Sequence, residues 1–148
     1  MAWRTDIGAA GPVIQKLRAL CLSFPETSET SSWGHPNFRA GKRTFAAFER
    51  VKGRPSIAFR VEPLDAGRLL RRPNFFATPF GRGHWVSLWA DAPLNWRLVG
   101  DLLRRSYRVV ALKRMLHVLE GTSRASLKGR DQRIHDARLR RRSAAKRQ

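Results

Sequence analysis

Cysteine and acidic residues are scarce in this chain of 148 residues. The single cysteine, Cys21, excludes an intrachain disulfide and a cysteine-rich metal site. Asp and Glu number 11 together, and they form no clear acid–base pair; no Ser, Cys or Asp lies in a nucleophile motif. The four histidines show no metal-ligand spacing. We therefore expect a protein without catalytic activity, metal or cofactor.

Long apolar segments are missing as well. No stretch approaches the roughly 20 apolar residues that a membrane-spanning helix needs. Residues 1–6 lack the apolar core of a secretory signal. We expect a cytoplasmic protein.

Positive charge is what the chain has in excess, with 30 Lys and Arg and a formal net charge of +19. Such a charge favours DNA, RNA or an anionic membrane surface through counterion release and long-range attraction. A general preference for arginine at solvated positions is the competing explanation. The basic groups that we take as candidate nucleic-acid contacts are Arg39, Lys42, Arg43, Arg50, Lys52, Arg54, Arg104, Arg105, Arg108, Arg140, Arg141 and Arg142.

The N-terminal quarter of the chain predicts one helix between two irregular segments. Residues 1–11 are interpreted as a flexible leader. Pro12 suits the first turn of a helix, where its missing N–H costs nothing, and Pro25 ends that helix. The polar residues 26–32 are predicted to form a loop.

The centre of the chain predicts strands joined as hairpins. A strand-like region starts at Phe38, and residues 44–51 and 56–62 are predicted strands. Phe45 and Phe48 cannot both face one side of a regular strand, so we expect a bulge or two buried faces. Hairpin connections favour a mostly antiparallel sheet.

The rest of the chain predicts further elements and a tail. A short helix is expected over 65–72, with Asp65 near its N-cap, and a strand over 84–90. Asn95 is a candidate cap for a long helix that extends to Gly121. We therefore expect a single domain over 12–120 and a basic, disordered tail over 121–148.

Two tryptophans fall on one side of the strand 84–90. Trp85 and Trp89 alternate with Val86 and Leu88, which share the other side. On an open sheet face the two rings would be able to stack unpaired bases or contact a partner. Packing beneath a loop is the alternative.

Four segments occur in order along residues 13–113. They are Leu20 to Thr27, Trp33 to Arg39, Phe75 to Pro79 with Gly83 to Val86, and Leu102 to Arg108. Together they resemble the MmcQ/YjbR family. The resemblance implies an α+β, two-layer, YjbR/CyaY-like fold with a mostly antiparallel sheet, helices on one face and the order α-β-β-β-α-β-β-α.

The resemblance also implies DNA binding, by analogy with proteins that read DNA through a sheet and wings. We expect duplex DNA with low sequence specificity, RNA as a further partner, and a monomer. In this interpretation two basic hairpin turns grip phosphates and the Arg-rich tail adds affinity. A protein- or peptide-interaction module that uses the open sheet face is the alternative. A ligand pocket beside Trp33 and His35 is a third interpretation.

Overall fold

The structure, a computed structural model, describes residues 2–32 and 34–121, with side chains from residue 10 onward. The chain divides into two units between Leu112 and Lys113. In the second unit, residues 113–121 are helical. Trp33 and the tail arginines Arg140, Arg141 and Arg142 lie outside the described residues, so the predictions for them stay predictions.

The described residues of the first unit form three helices and six strands. They are α1 (Ala2–Leu22), β1 (Thr27–Ser32), β2 (His35–Ala40), β3 (Arg43–Val51), β4 (Arg54–Arg60), α2 (Pro63–Leu69), β5 (Phe75–Ala77), β6 (Trp85–Trp89) and α3 (Trp96–Val110). The strands form one sheet in the order β1-β2-β3-β4-β6-β5, and every neighbouring pair is antiparallel. The predicted α+β class with a mostly antiparallel sheet is confirmed.

Helices α1 and α3 pack on one face of the sheet. The stripe that α1 buries consists of Ala10, Ile14, Leu17 and Cys21, which recur at helical spacing. Burial raises the pKa of the Cys21 thiol, so this cysteine is an inert apolar residue rather than a nucleophile. The helix-covered face therefore holds most of the core, while the other face, which we call the open face, buries small side chains such as Ala47, Ala58 and Ser87.

An aromatic cluster joins α3 to the sheet and to the end of α1. The Tyr107 ring stacks on Phe24 at a centroid distance of 4.9 Å and meets Phe45 edge-on at 5.6 Å. Its hydroxyl donates a hydrogen bond to the Pro25 carbonyl over 2.8 Å. This bond fixes the chain at the point where α1 ends.

The expected bulge in β3 is confirmed. Phe38 pairs with Ala46 and Arg39 pairs with Thr44, so Phe45 is the extra residue of the longer strand. The bulge lets Phe45 contact Tyr107, while Ala46 and Phe48 are also buried.

Two predictions for the N-terminal region are wrong. Residues 2–11 belong to α1, with Pro12 inside the helix rather than at its start. Residues 27–32 form the edge strand β1 rather than a loop. This strand has no apolar residue; its contacts are the ladder with β2 and the ion pair between Arg18 and Glu29, at 2.5 Å.

Two helix boundaries also differ from the sequence predictions. Helix α2 has Glu62 at its N-cap and begins at Pro63, a favourable first residue, so Asp65 lies inside the helix. Helix α3 ends at Val110, because Ala111 adopts an extended conformation with ψ of 145°. The Asn95 cap is confirmed, since its side chain accepts a hydrogen bond from the Leu98 N–H at 3.2 Å.

Across residues 2–32 and 34–121, no helix combines the length and the apolar character that crossing a membrane requires.

Candidate nucleic-acid interface

The two basic hairpin turns lie at opposite ends of the sheet. The β2–β3 turn precedes the nine residues of β3 and the β3–β4 turn follows them. At about 3.4 Å per residue, the two turns are separated by about 30 Å. One groove of B-DNA, about 12 Å wide at the major groove, therefore cannot be held between them.

The β2–β3 turn presents three cations to solvent. Arg39, Lys42 and Arg43 are exposed, and none forms an ion pair with a residue in the described part of the chain. The Gly41 N–H donates to the backbone carbonyl of Glu26 over 3.0 Å, which fixes the turn beside the end of α1. These side chains have their charge available for an anionic partner. We call them the basic turn.

The charge of the β3–β4 turn is partly neutralised. Arg54 donates from Nε and Nη2 to the two carboxylate oxygens of Asp91, at 2.6 and 3.1 Å. This hydrogen-bonded pair raises the pKa of Arg54 and lowers the pKa of Asp91. Arg50 donates to the Gly53 carbonyl at 3.2 Å, which leaves Lys52 as the turn's cation without such a contact.

The Trp89 ring is enclosed by two neighbours. The Arg54 guanidinium lies 3.9 Å from its centroid, and the Phe76 ring stacks on it at 4.0 Å. Two groups this close cannot share one face of an indole, so the ring is sandwiched between them. Stacking of an unpaired base on Trp89, as the sequence suggested, would have to displace one of these partners.

The arginines of α3 lie on the helix-covered side of the sheet. Arg105 and Arg108 line a groove together with Glu62, Asp65 and Arg68 of the α2 region. Two carboxylates in this groove weaken its attraction for a polyanion. Arg104 is half-buried on the same helix. The predicted contacts are thus divided among three separate surfaces.

A concavity of about 180 Å³ opens on the uncovered face of the sheet. Its floor comes from β2 and β3, and its wall comes from the segment after β5 and from the start of β6. The lining residues are Asn37, Thr44, Ala47, Glu49, Thr78, Pro79, Phe80, Gly81 and Trp85. We call it the open-face concavity.

The open-face concavity adjoins the basic turn. Arg39 is the cross-strand partner of Thr44, and Asn37 is the partner of Ala47. Facing partners in an antiparallel pair point to the same side of a sheet. Arg39 therefore lies on the open face next to a residue that lines the concavity.

The loop that forms the wall has an unusual backbone. Phe80, Arg82 and Gly83 have φ values of 61°, 51° and 80°. A Cβ on Gly81 would lie 2.8 Å from the Trp85 Cβ, so only glycine permits this approach. The Thr78 and Ser87 hydroxyls, 2.8 Å apart, join the loop to β6.

Glu49 is the carboxylate of the open-face concavity. It is half-buried, and burial raises its pKa above the ordinary value, an effect that a nearby positive charge on His35 opposes. Within the described residues no group of three His, Cys, Asp or Glu residues approaches a metal-binding arrangement. When it is ionised, Glu49 places hydrogen-bond acceptors in the open-face concavity.

Replacing Glu49 with Gln is expected to stabilise the protein increasingly as the pH rises. A buried carboxyl group holds its proton more tightly in the folded than in the unfolded chain. Stability is therefore lost as the pH rises from the ordinary pKa of 4.5 through the higher folded value. Unfolding midpoints of Glu49→Gln and the unsubstituted protein should coincide at low pH and diverge above it. A difference that does not change with pH would contradict this expectation.

The family of this chain follows from a comparison of sequences. The YjbR family profile matches residues 22–109, more than half of the chain. The chain belongs to the YjbR family. The match includes every strand, α2 and nearly all of α3, and it confirms the resemblance that the four sequence segments carry. No curated protein matches the chain.

Two solved structures are similar to this chain. A Deinococcus radiodurans protein with a DUF419 domain is 24% identical, with a TM-score of 0.57, over 68% of this chain and 79% of that chain. A Pseudomonas syringae protein is 19% identical, with a TM-score of 0.49, over 57% of this chain and 87% of that chain. At this level of identity the Deinococcus structure supports the YjbR fold alone.

The four segments that carry the YjbR resemblance meet in pairs. The first and last meet in the aromatic cluster, where Tyr107 contacts Phe24 and Pro25. The second and third meet at the open-face concavity, which Asn37 and Trp85 both line. The sequence patterns do not mark Asn37, Thr44, Glu49 or Phe80 as site residues. The sequence around Phe80 contains a signal that could have identified it, because an aromatic residue lies among Pro79, Gly81 and Gly83.

Proposed function

We propose that this YjbR-family protein binds nucleic acid, DNA first, without catalysing a reaction. The observation that carries the proposal is the basic turn. Arg39, Lys42 and Arg43 are exposed at one end of the sheet and form no ion pair among the described residues. Exposed cations without acidic partners contribute to phosphate binding without having to break an internal contact.

The mechanism is mainly neutralisation of phosphates. The basic turn holds the sugar–phosphate backbone, and such contacts position a nucleic acid without reading its sequence. Lys52, at the other end of the sheet, is available to a longer ligand, because about 30 Å is close to one helical turn of duplex DNA. The Arg-rich segment 138–147 adds sequence-independent attraction.

Binding to DNA is expected to weaken steeply with salt. If about six phosphates are neutralised, the logarithm of the association constant should fall with a slope of roughly −5 against the logarithm of the salt concentration. Fluorescence anisotropy of a labelled random-sequence duplex across a salt series measures this slope for the full chain. A slope near zero, or no binding at low salt, would refute the proposal.

A shortened protein that ends at Gly121 distinguishes binding by the folded part from binding by the tail. If both chains bind with a salt-dependent affinity, the contact lies in the folded part, as the proposal for the basic turn requires. If only the full chain binds, the tail carries the activity and the basic turn is not the site.

The alternative, a module that captures a peptide on the open face, is favoured by Phe80, whose side chain is 100% exposed. Trp89 is enclosed by Arg54 and Phe76, so a peptide surface that extends from Phe80 to Trp89 is disfavoured. Charge reversal in the basic turn distinguishes the two functions, because it should abolish nucleic-acid binding and have little effect on peptide capture.

A further inference from the structure

The aromatic ring of Phe80 contributes nothing to the stability of the folded protein. Phe80 is 100% exposed, and its φ of 61° is a left-handed backbone conformation that residues other than glycine rarely adopt. Neither property stabilises the fold. Backbone strain of this kind occurs at ligand clamps and other functional sites.

The place of Phe80 suggests what it contacts. Phe80 and Trp85 both line the open-face concavity, which holds about 180 Å³. Sites for drug-sized molecules are commonly about 300 Å³ or larger, so this one suits a single planar ring system. Two aromatic side chains at one small depression match the way in which proteins stack unpaired bases.

The polar groups of the floor are suited to the edge of a base. Asn37 supplies both a donor and an acceptor, and Glu49 supplies acceptors when it is ionised. A carboxylate accepts hydrogen bonds from the exocyclic amino group of a base, and thymine has no such group. The floor of the concavity is deep at Ala47, because Ala47 and its cross-strand partner Ala58 both have small side chains.

The charge beside the concavity supplies the remaining part of a nucleotide site. Arg39 is the cross-strand partner of Thr44, which lines the concavity, and Lys42 and Arg43 follow in the same turn. Base and phosphate contacts therefore lie side by side. A duplex keeps its bases stacked inside, so it can offer phosphates to the basic turn but no base to the concavity.

We propose that the open-face concavity binds one unpaired, amino-bearing base of a single-stranded nucleic acid, against Phe80 and Trp85. The adjoining phosphates lie on Arg39, Lys42 and Arg43. This inference rests on the proposed function and makes it specific: single strands are preferred over duplexes.

The test measures the affinity of the full chain for oligodeoxycytidine, oligothymidine and a duplex at moderate salt, where the electrostatic contribution is reduced. We expect oligodeoxycytidine to bind most tightly. Phe80→Ala should weaken its binding about tenfold, the usual effect of losing one stacking ring, and leave duplex binding unchanged. Phe80→Trp, which keeps a ring, should restore the affinity.

A matched control removes another exposed apolar side chain. Leu64 is 71% exposed on α2, away from the sheet's open face, and Leu64→Ala should change neither binding nor the unfolding midpoint. Phe80→Gly gives a second version of the test, because glycine tolerates the positive φ and should raise the midpoint while single-strand binding weakens as in Phe80→Ala.

The outcomes separate the two proposals. If no nucleic acid binds in a salt-dependent way, the proposed function itself is wrong. If single strands and duplexes bind but Phe80→Ala changes neither, the function stands and the base site is refuted. Equal weakening of single-strand and duplex binding by Phe80→Ala also refutes the base site, because the ring would then be a general contact.

Discussion

Reversing the charge of Arg39, Lys42 and Arg43 together, to Glu, is expected to lower the affinity for DNA about a hundredfold or more at low salt. Each lost phosphate contact should also make the salt dependence shallower by about one unit of slope, so about three units in all. The unfolding midpoint should change little. The reason is that these side chains form no ion pair among the described residues and are exposed.

The matched control reverses three exposed arginines of α3. Arg97, Arg105 and Arg108 lie on the helix-covered side, and their reversal changes the net charge by the same amount. We expect a much smaller loss of affinity, because Arg105 and Arg108 share their groove with two carboxylates. Anisotropy titrations of both variants across a salt series provide the measurement. Equal losses would mean that net charge alone governs binding and that no surface is preferred.

Local patterns were sufficient to predict most of the sheet. The Lys52-Gly53 turn lies where its glycine indicates a turn, with φ values of 53° and 77° at the two residues. The spacing of Phe45 and Phe48 indicated the bulge, because it conflicts with the period of a regular strand. These features are encoded within a few neighbouring residues.

The elements that sequence analysis missed depend on distant partners. Strand β1 has the composition of a loop, and it is held by β2 and by the ion pair of Glu29 with Arg18. Helix α3 ends at Val110 without a proline or glycine there, so the apolar pattern that continues beyond it was misleading. The bond of Arg54 to Asp91 joins residues that are 37 positions apart in the chain.

The arrangement of the site was only partly predictable. Both basic turns could be located from their residue types, and the antiparallel connection through β3 already implies that they lie at opposite ends. The concavity could not be derived, because it needs the segment after β5 to lie against β3. Asn37 and Phe80 are brought together by the tertiary fold, not by sequence spacing.

Tyr107→Ala is expected to cost about 3–5 kcal/mol of unfolding free energy, the usual range for deleting a buried aromatic ring. The Tyr107 side chain is fully buried, contacts Phe24 and Phe45, and donates to Pro25. A small domain has only about 5–15 kcal/mol of stability in total, so this single change removes a large share. Urea unfolding followed by far-ultraviolet circular dichroism measures it.

Tyr107→Phe is the matched control, and it also tests where the binding site is. It keeps the ring contacts and removes only the hydrogen bond, so the expected cost is about 1 kcal/mol, plus the penalty of leaving the Pro25 carbonyl without its donor. Because Tyr107 lies on the helix-covered face, the folded variant should bind nucleic acid as tightly as the unsubstituted protein. A Tyr107→Phe variant with its stability retained and its binding lost would move the site to the helix face. In that case the basic turn and the open-face concavity would not be the interface.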